Sequence, residues 1–263
     1  MAEPPSILVT GASRGIGAAI AEWLGRQGAA LSLLARDRKA LKAVAKSVRN
    51  AGGQALAVDG SVSERADCEL AVKTAVDAYG RIDGLINNAG ILHPLSALAD
   101  TDPDDWENNI AVNLIGPYTL MRLAIPFLRL TSGRIVNISS GAAAKAIEAW
   151  SAYCTAKAGL THLTAVAALE EPKITIVALR PGVVDTGMQA DIRSHGAGAM
   201  TTDKMAYFEA LHREGRLEPP WVPARSAAWL ALAAPAEWSG RFLEYDDPAI
   251  IGPAEAMMGR APE

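Results

Sequence analysis

Short runs of β-branched and leucine residues alternate along the chain with longer alanine-rich stretches. The short runs predict strands near 6–10, 30–35, 54–58, 82–87, 133–139 and 173–179, and the longer stretches predict helices over 15–27, 38–51, 63–79, 103–130 and 150–170. Two helix starts carry local signals: Ser63 with Glu64 following, and Thr101-Asp102-Pro103 with proline in the first turn. The strand runs are nearly continuous in apolar residues, the pattern of strands buried on both faces. A repeated βα unit of this kind predicts an α/β protein, a doubly wound parallel sheet in three layers.

No Pro/Gly/Ser linker divides the first 185 residues, and a parallel sheet cut midway would expose both its faces, so residues 1–263 are assigned to one domain. The alternation breaks over 186–222, where Gly187, Gly196, Gly198, Gly215, Pro219 and Pro220 surround a predicted helix at 202–214. An excursion of that length at the end of a sheet predicts a substrate-binding lid.

Half of the 263 residues are hydrophobic, enough for a core without staples and too many for a disordered chain. The longest nearly unbroken apolar stretch, Ala227 to Ala236, falls short of the ~20 residues that span a bilayer, so no membrane span is expected. The start, Met-Ala-Glu-Pro-Pro-Ser, has no basic region before an apolar block and predicts no secretory signal. Cys68 and Cys154 stand alone, without a CxxC or Cys/His cluster, which predicts neither disulfide nor structural zinc and fits a reducing cytoplasm. A net charge of −4 without a long basic run gives no attraction for nucleic acid.

The first strand runs into Thr10-Gly11-Ala12-Ser13-Arg14-Gly15-Ile16-Gly17, and a helix continues from Ile16. Glycines here admit backbone N–H groups to a pyrophosphate, and the helix start adds partial positive charge. The spacing is GxxxGxG, distinct from the GxGxxG form of the dinucleotide fingerprint. Where an NAD-binding chain has an acidic residue for the ribose 2′-hydroxyl, this one has Arg36, in Leu33-Leu34-Ala35-Arg36-Asp37. A guanidinium suits a 2′-phosphate, and Arg14 could close on the same group, which predicts NADP(H); Asp37 leaves NAD(H) open.

With Asn87-Asn88-Ala89-Gly90 after the fourth strand and Tyr153-Cys154-Thr155-Ala156-Lys157 on the fifth helix, the chain resembles the short-chain dehydrogenase/reductase family over nearly its whole length. The matching patterns are TGxxxGxG, NNAG and YxxxK, in the same order. The resemblance implies a Rossmann fold, a nicotinamide cofactor held by Gly11, Ser13, Arg14, Gly15, Ile16, Gly17, Arg36, Asn87, Ala89 and Gly90, and an adenine contact at Asp59. It further implies that the Pro181-Gly182 turn sets Val183, Val184 and Thr186 against the nicotinamide carboxamide, and that the chain forms a homodimer or homotetramer.

Tyr153 and Lys157, four apart on a helix, share one face. An ammonium beside a phenol favours the phenolate, which is expected to lower the tyrosine pKa from ~10 toward the working range of a proton donor. Ser139 and Ser140 end the fifth strand at the carboxyl edge of the sheet, where such folds bind ligands. Ser140, thirteen residues before Tyr153, has the spacing of the family's substrate-orienting serine; Ser139 is the alternative, and only one of the two should face the site. The resemblance makes Asn113, four residues before Pro117, the fourth catalytic member, holding a water that links Lys157 to solvent.

Met188, Met200, Met205, Tyr207, Phe208, Leu211 and Trp221 in or beside the excursion, with Gly141 to Ala144 and Trp150, predict a pocket for an apolar or aromatic carbonyl compound; Met205, Phe208 and Leu211 could equally face the core. His93 could line the pocket, no histidine is needed as a metal ligand, and Cys154 reads as an inert packing residue. The C-terminal third is similar to the benzil reductase and sepiapterin reductase-like branch, through Arg180 to Gln189, Glu209-Ala210-Leu211-His212, Pro219 to Ala224 and Ser239 to Tyr245. That branch implies reduction of a vicinal diketone to an (S)-hydroxyketone. The alternatives are a 3-oxoacyl reductase, an alcohol dehydrogenase on the same scaffold, or a non-catalytic NADP-binding regulator.

Overall fold

A computed structural model describes residues 3–260, so the outermost residues of the 1–263 assignment, 1–2 and 261–263, lie outside it. The six expected strands form as β1 (Ser6–Thr10), β2 (Ala30–Ala35), β3 (Gln54–Asp59), β4 (Gly84–Asn87), β5 (Arg134–Ile138) and β6 (Thr175–Arg180). A seventh, β7 (Phe242–Glu244), has too few residues to show a period in the sequence. All pair in parallel in the order β3-β2-β1-β4-β5-β6-β7, so the winding reverses between β1 and β4.

Successive strand residues feed opposite layers. Ile7, Val9, Val136 and Val177 pack beneath α1 (Gly15–Arg26), α2 (Arg38–Asn50), α9 (Trp221–Ala233) and α10 (Pro248–Met258). Leu8, Leu85, Ile135 and Ile176 pack beneath α3 (Arg65–Tyr79), α5 (Gly116–Thr131) and α6 (Ser151–Glu170). Both β1 and β4 are buried along their whole length, and each large aliphatic side chain so placed contributes roughly 1.5–3 kcal/mol. This is the three-layer, single-domain Rossmann architecture that the alternation predicts, and it leaves the carboxyl ends of β1 and β4 side by side.

The helix expected over 103–130 is a continuous helical run with a defect. It comprises α4 (Pro103–Ile110), a π turn (Ala111–Ile115) and α5. Pro117 has no N–H to offer the carbonyl one turn upstream, and the helix widens there. The run Pro103–Thr131 is long and apolar enough to cross a bilayer by length and composition alone, although charged and polar residues interrupt it. In this fold one face of the run packs on the sheet, with Leu120, Met121, Ala124 and Leu128 buried, while Ile115, Tyr118 and Leu130 remain exposed.

The excursion over 186–222 folds into two helices, α7 (Gly187–His195) and α8 (Thr202–Arg213), rather than the one expected. Its ends are tied together: Asp185 donates its backbone N–H to Glu218 and Glu218 donates to Val183, both at 2.8 Å. Ile192, Met200, Phe208 and Leu211 seat it on a small apolar cluster that includes Trp150 and Tyr153.

Candidate active site

The ends of β1 and β4 are locked to each other. The Thr10 hydroxyl accepts from the backbone N–H groups of Asn88 and Ala89, each at 3.0 Å, and the Asn88 amide donates to the Thr10 carbonyl at 2.9 Å. Above this lock the glycine loop turns with Gly11 at φ +62 and Gly15 at φ +55, conformations glycine adopts without strain. A Cβ on Gly11 would stand 2.8 Å from the Ala89 Cα, so a side chain there would collide with backbone. The residue before α1, Arg14, makes no side-chain cap, which leaves the first N–H groups of the helix for a ligand.

A cavity of ≈ 830 Å³ runs from this loop along the carboxyl edge of the sheet to the lid. Gly11, Ser13, Arg14, Gly15, Ile16, Ala89 and Gly90 line it, as do Pro181, Gly182, Val183, Val184 and Thr186 on the far side. Arg36 and Arg14 are exposed at one end, and neither guanidinium has a hydrogen-bond or ion-pair partner among the described residues. Asp37 also lines this end, but its carboxylate accepts from the Ala40 N–H at 3.0 Å and caps α2. The glycine cradle, the uncapped helix and a cleft that reaches from Arg36 past Tyr153 to Phe208 fit a nicotinamide dinucleotide.

Three expected cofactor residues do not reach the cavity wall. Gly17 lies below the loop, where a Cβ would fall on the Gly11 carbonyl oxygen; its contribution is close packing. Asn87 turns away from the cleft and donates to Asn137 Oδ1 at 2.8 Å inside the sheet. Asp59 is exposed one residue short of the wall, which is formed instead by Gly60, Ser61 and Val62. Conversely, Thr10 and Asn88 sit in motifs visible in the sequence, yet which residue of each motif bears the lock depends on register between strands distant in the chain.

Tyr153, Lys157 and Ser140 meet at the middle of the cavity. The first turn of α6 carries the tyrosine and the second the lysine, and Lys157 Nζ lies 5.7 Å from the centre of the Tyr153 ring. The ammonium donates to the Ile138 carbonyl at 2.8 Å. Ser140 accepts from the Ala142 N–H at 3.1 Å, and its hydroxyl lies close enough to the phenol to lower its pKa. Ser139 is held away from that position, since its hydroxyl is 2.6 Å from the Thr161 hydroxyl on α6.

The electrostatics differ from the sequence expectation. Burial pushes the Tyr153 phenol up to about 12, with the Ser140 hydroxyl pulling the other way, because desolvation of a phenolate outweighs an ammonium that is directed at a carbonyl. Burial also lowers Lys157 to about 8. The protein by itself therefore holds a neutral phenol beside a lysine poised near neutrality.

Asn113 stands behind this group in the π turn, fully buried and outside the cavity wall. Its amide donates to the Ile91 carbonyl at 2.8 Å, and its Oδ1 accepts from the Ile91 N–H at 3.2 Å. A Cβ on Gly90 would lie 2.9 Å from Asn113 Oδ1 and 3.7 Å from Lys157 Nζ, so Gly90 is the thin partition between them.

On the substrate side the lid residues divide. Met188, Tyr207 and Phe208 line the cavity with Trp150, Gly141 and Ala142, while Met200 and Leu211 are buried and Met205 is packed in the cluster beneath. Trp221 lies outside the wall, its carbonyl accepting from Trp23 Nε1 at 2.9 Å. Trp150 stacks on Phe208 at 5.8 Å and meets Tyr153 edge-on at 5.8 Å, so an aromatic wall joins the lid to the phenol. His93 is absent from this wall and Cys154 is half-buried, with burial raising its thiol pKa as expected of an inert residue.

Fold and cleft thus define a nicotinamide-nucleotide-binding oxidoreductase, and residues 5–197 match the short chain dehydrogenase family, to which the chain belongs. An uncharacterized oxidoreductase of Schizosaccharomyces pombe is 36% identical over 91% of this chain and 95% of its own. A benzil reductase ((S)-benzoin forming) of Saccharomyces cerevisiae is 33% identical over 95% of this chain and 98% of its own. A solved short chain dehydrogenase/reductase of Saccharomyces cerevisiae superposes with a TM-score of 0.89 at 33% identity, covering 94% of this chain and 98% of that one. Both nucleotides occur among similar structures. Actinorhodin polyketide ketoreductase with NADPH has a TM-score of 0.82 at 30% identity, covering 92% and 95% of the two chains. NAD+-bound xylitol dehydrogenase has a TM-score of 0.83 at 27% identity, covering 92% and 97%.

Proposed function

We propose that the protein is an NADPH-dependent carbonyl reductase acting on an apolar or aromatic ketone or a vicinal diketone of the benzil type. The observation that carries this reading is the convergence of Tyr153, Ser140 and Lys157 on one cavity wall, between the glycine loop and an aromatic pocket. When bound, NADPH supplies the hydride to the carbonyl carbon. Ser140 orients the carbonyl oxygen, and the Tyr153 phenol, kept protonated by burial, gives its proton to that oxygen as negative charge develops. The Lys157 ammonium favours the phenolate left behind, and Asn113, hydrogen-bonded to Ile91 behind Gly90, would hold a water that links Lys157 to solvent. The partnerless guanidiniums of Arg14 and Arg36 favour the 2′-phosphate of NADP(H) over the hydroxyl of NAD(H).

Two exposed apolar strips, Ile115 and Tyr118 on the long helix and Val166 and Leu169 on α6, support assembly as a homodimer or homotetramer. Light scattering on the purified protein tests that. A second reading, a 3-oxoacyl reductase, draws on Lys145 and Lys204 at the cavity wall, which would attract an anionic carrier. Incubation with benzil and NADPH, and with an acetoacetyl thioester and NADPH, separates the two. Formation of (S)-benzoin, read by chiral chromatography, supports the first, and turnover of the thioester alone refutes it.

A further inference from the structure

Outside the cavity, three potential metal ligands from two parts of the chain come together. His93, in the loop after β4, meets Asp191 and His195 of α7, and one ligand atom from each lies within 4.8 Å of the others. Asp191 and His195 are four apart on the same helix face, the spacing with which two side chains grip one ion. The two imidazoles meet edge-to-face with centres 5.4 Å apart.

We infer that these residues form a zinc site that straps the lid to the loop after β4. Zinc ligands at about 2.0–2.2 Å from a tetrahedral ion sit roughly 3.4 Å from one another, so closure asks each side chain to swing by about 1 Å. Both histidines are exposed and free to make that swing. His195 Nδ1 is 3.3 Å from the Asp191 carbonyl and 2.9 Å from the Ser194 hydroxyl. A proton on Nδ1, donated to that carbonyl, fixes the tautomer and turns the Nε2 lone pair outward, the second-shell arrangement that metal-bound histidines use. Asp100, Asp102 and Asp105 line a depression that includes His93, and their field favours a dication over an anion. Three protein ligands leave a fourth position for water.

The placement gives the ion a mechanical consequence. Leu92, beside His93, and Ile192, beside Asp191, pack in the same buried cluster, and Ile192 lines the substrate end of the cavity. An ion held by both sides would cross-link the two walls of the pocket mouth. The site takes no part in proton or hydride transfer.

Titration calorimetry of zinc chloride into the full-length protein, in a buffer that does not chelate, tests the site without reference to turnover. One equivalent per chain is expected, weakened at least tenfold in His93→Ala, Asp191→Asn and His195→Ala and unchanged in His212→Ala. Zinc at a hundred times its Kd should raise Tm by roughly 5 °C. It should also slow amide exchange across Gly187–His195 in the wild type and not in His93→Ala. Absence of binding, or binding that the histidine variants leave intact, overturns the site. Binding lost in His195→Ala but retained in His93→Ala overturns the strap.

Discussion

Replacing Arg36 by aspartate should separate the two nicotinamide nucleotides. Arg36 and Arg14 line one end of the cleft without a partner, and the neighbouring Asp37 carboxylate is occupied in capping α2. A hydrogen bond to a charged group contributes about 1.5–3 kcal/mol. Its loss raises the Kd for NADPH by about 10- to 150-fold. A carboxylate in the same place repels the phosphate, and at an exposed position about 4 Å away that repulsion lies near the ~1 kcal/mol aqueous limit, a further factor of about five. Arg36→Asp is therefore expected to weaken NADPH by about 50- to 750-fold, while NADH, which has no 2′-phosphate, changes by less than about threefold. Fluorescence titration of the reduced nicotinamide measures both constants, at low salt because a Debye length of about 10 Å at 0.1 M screens exposed charges. Arg14→Ala should reproduce part of the effect. Equal losses for the two nucleotides, or none for either, would show that the 2′-phosphate is not held here.

The Lys157 ammonium, lowered to about 8 by burial, is lost as pH rises through that value, so kcat/KM for reduction should fall above about pH 8. Lys157→Arg, which does not titrate, should remove the break, whereas an unchanged profile would detach it from Lys157. The same shift has a stability sign. Between about 8 and 10.5 the unfolded chain binds a proton at this lysine that the folded one has released, so urea-unfolding free energy should rise over that window, and a flat or falling trend that Lys157→Met leaves unchanged would contradict it. In Gly17→Ala the new methyl would fall on the Gly11 carbonyl and stand 2.5 Å from the Asn88 amide. Overpacking of that kind costs about 1–3 kcal/mol, so Tm should drop by roughly 2–10 °C and NADPH affinity with it; a wild-type Tm would refute the packing role.

The sequence makes some features legible because they are local. Glycines in the loop after β1, the alternation of apolar runs with helices, and the i, i+4 placement of Tyr153 and Lys157 can each be read within a short window. Features that depend on tertiary packing are not legible in this way. The Tyr153 phenol moves up rather than down because the lid and α6 bury it, and no window of sequence contains both. Asn87 and Asn88 are equivalent in the motif, and only the register of β4 against β1 and β5 decides that Asn88 closes on Thr10 while Asn87 faces Asn137. The π turn keeps a helical sequence pattern, and Pro117 signals a distortion without specifying its form. Within the lid, the stripe of Met205, Phe208 and Leu211 is split between pocket and core by the way α8 lies on Trp150.

On the proposed mechanism the Tyr153 phenol is the proton donor in a reduction by bound NADPH. Single-turnover oxidation of NADPH in the presence of benzil, followed in wild type and Tyr153→Phe with nucleotide affinity measured in parallel, tests it most directly. The variant is predicted to bind NADPH as wild type does and to oxidise it about 10²- to 10⁴-fold more slowly. Turnover of the variant at the wild-type rate with the nucleotide bound would show that Tyr153 does not donate the proton.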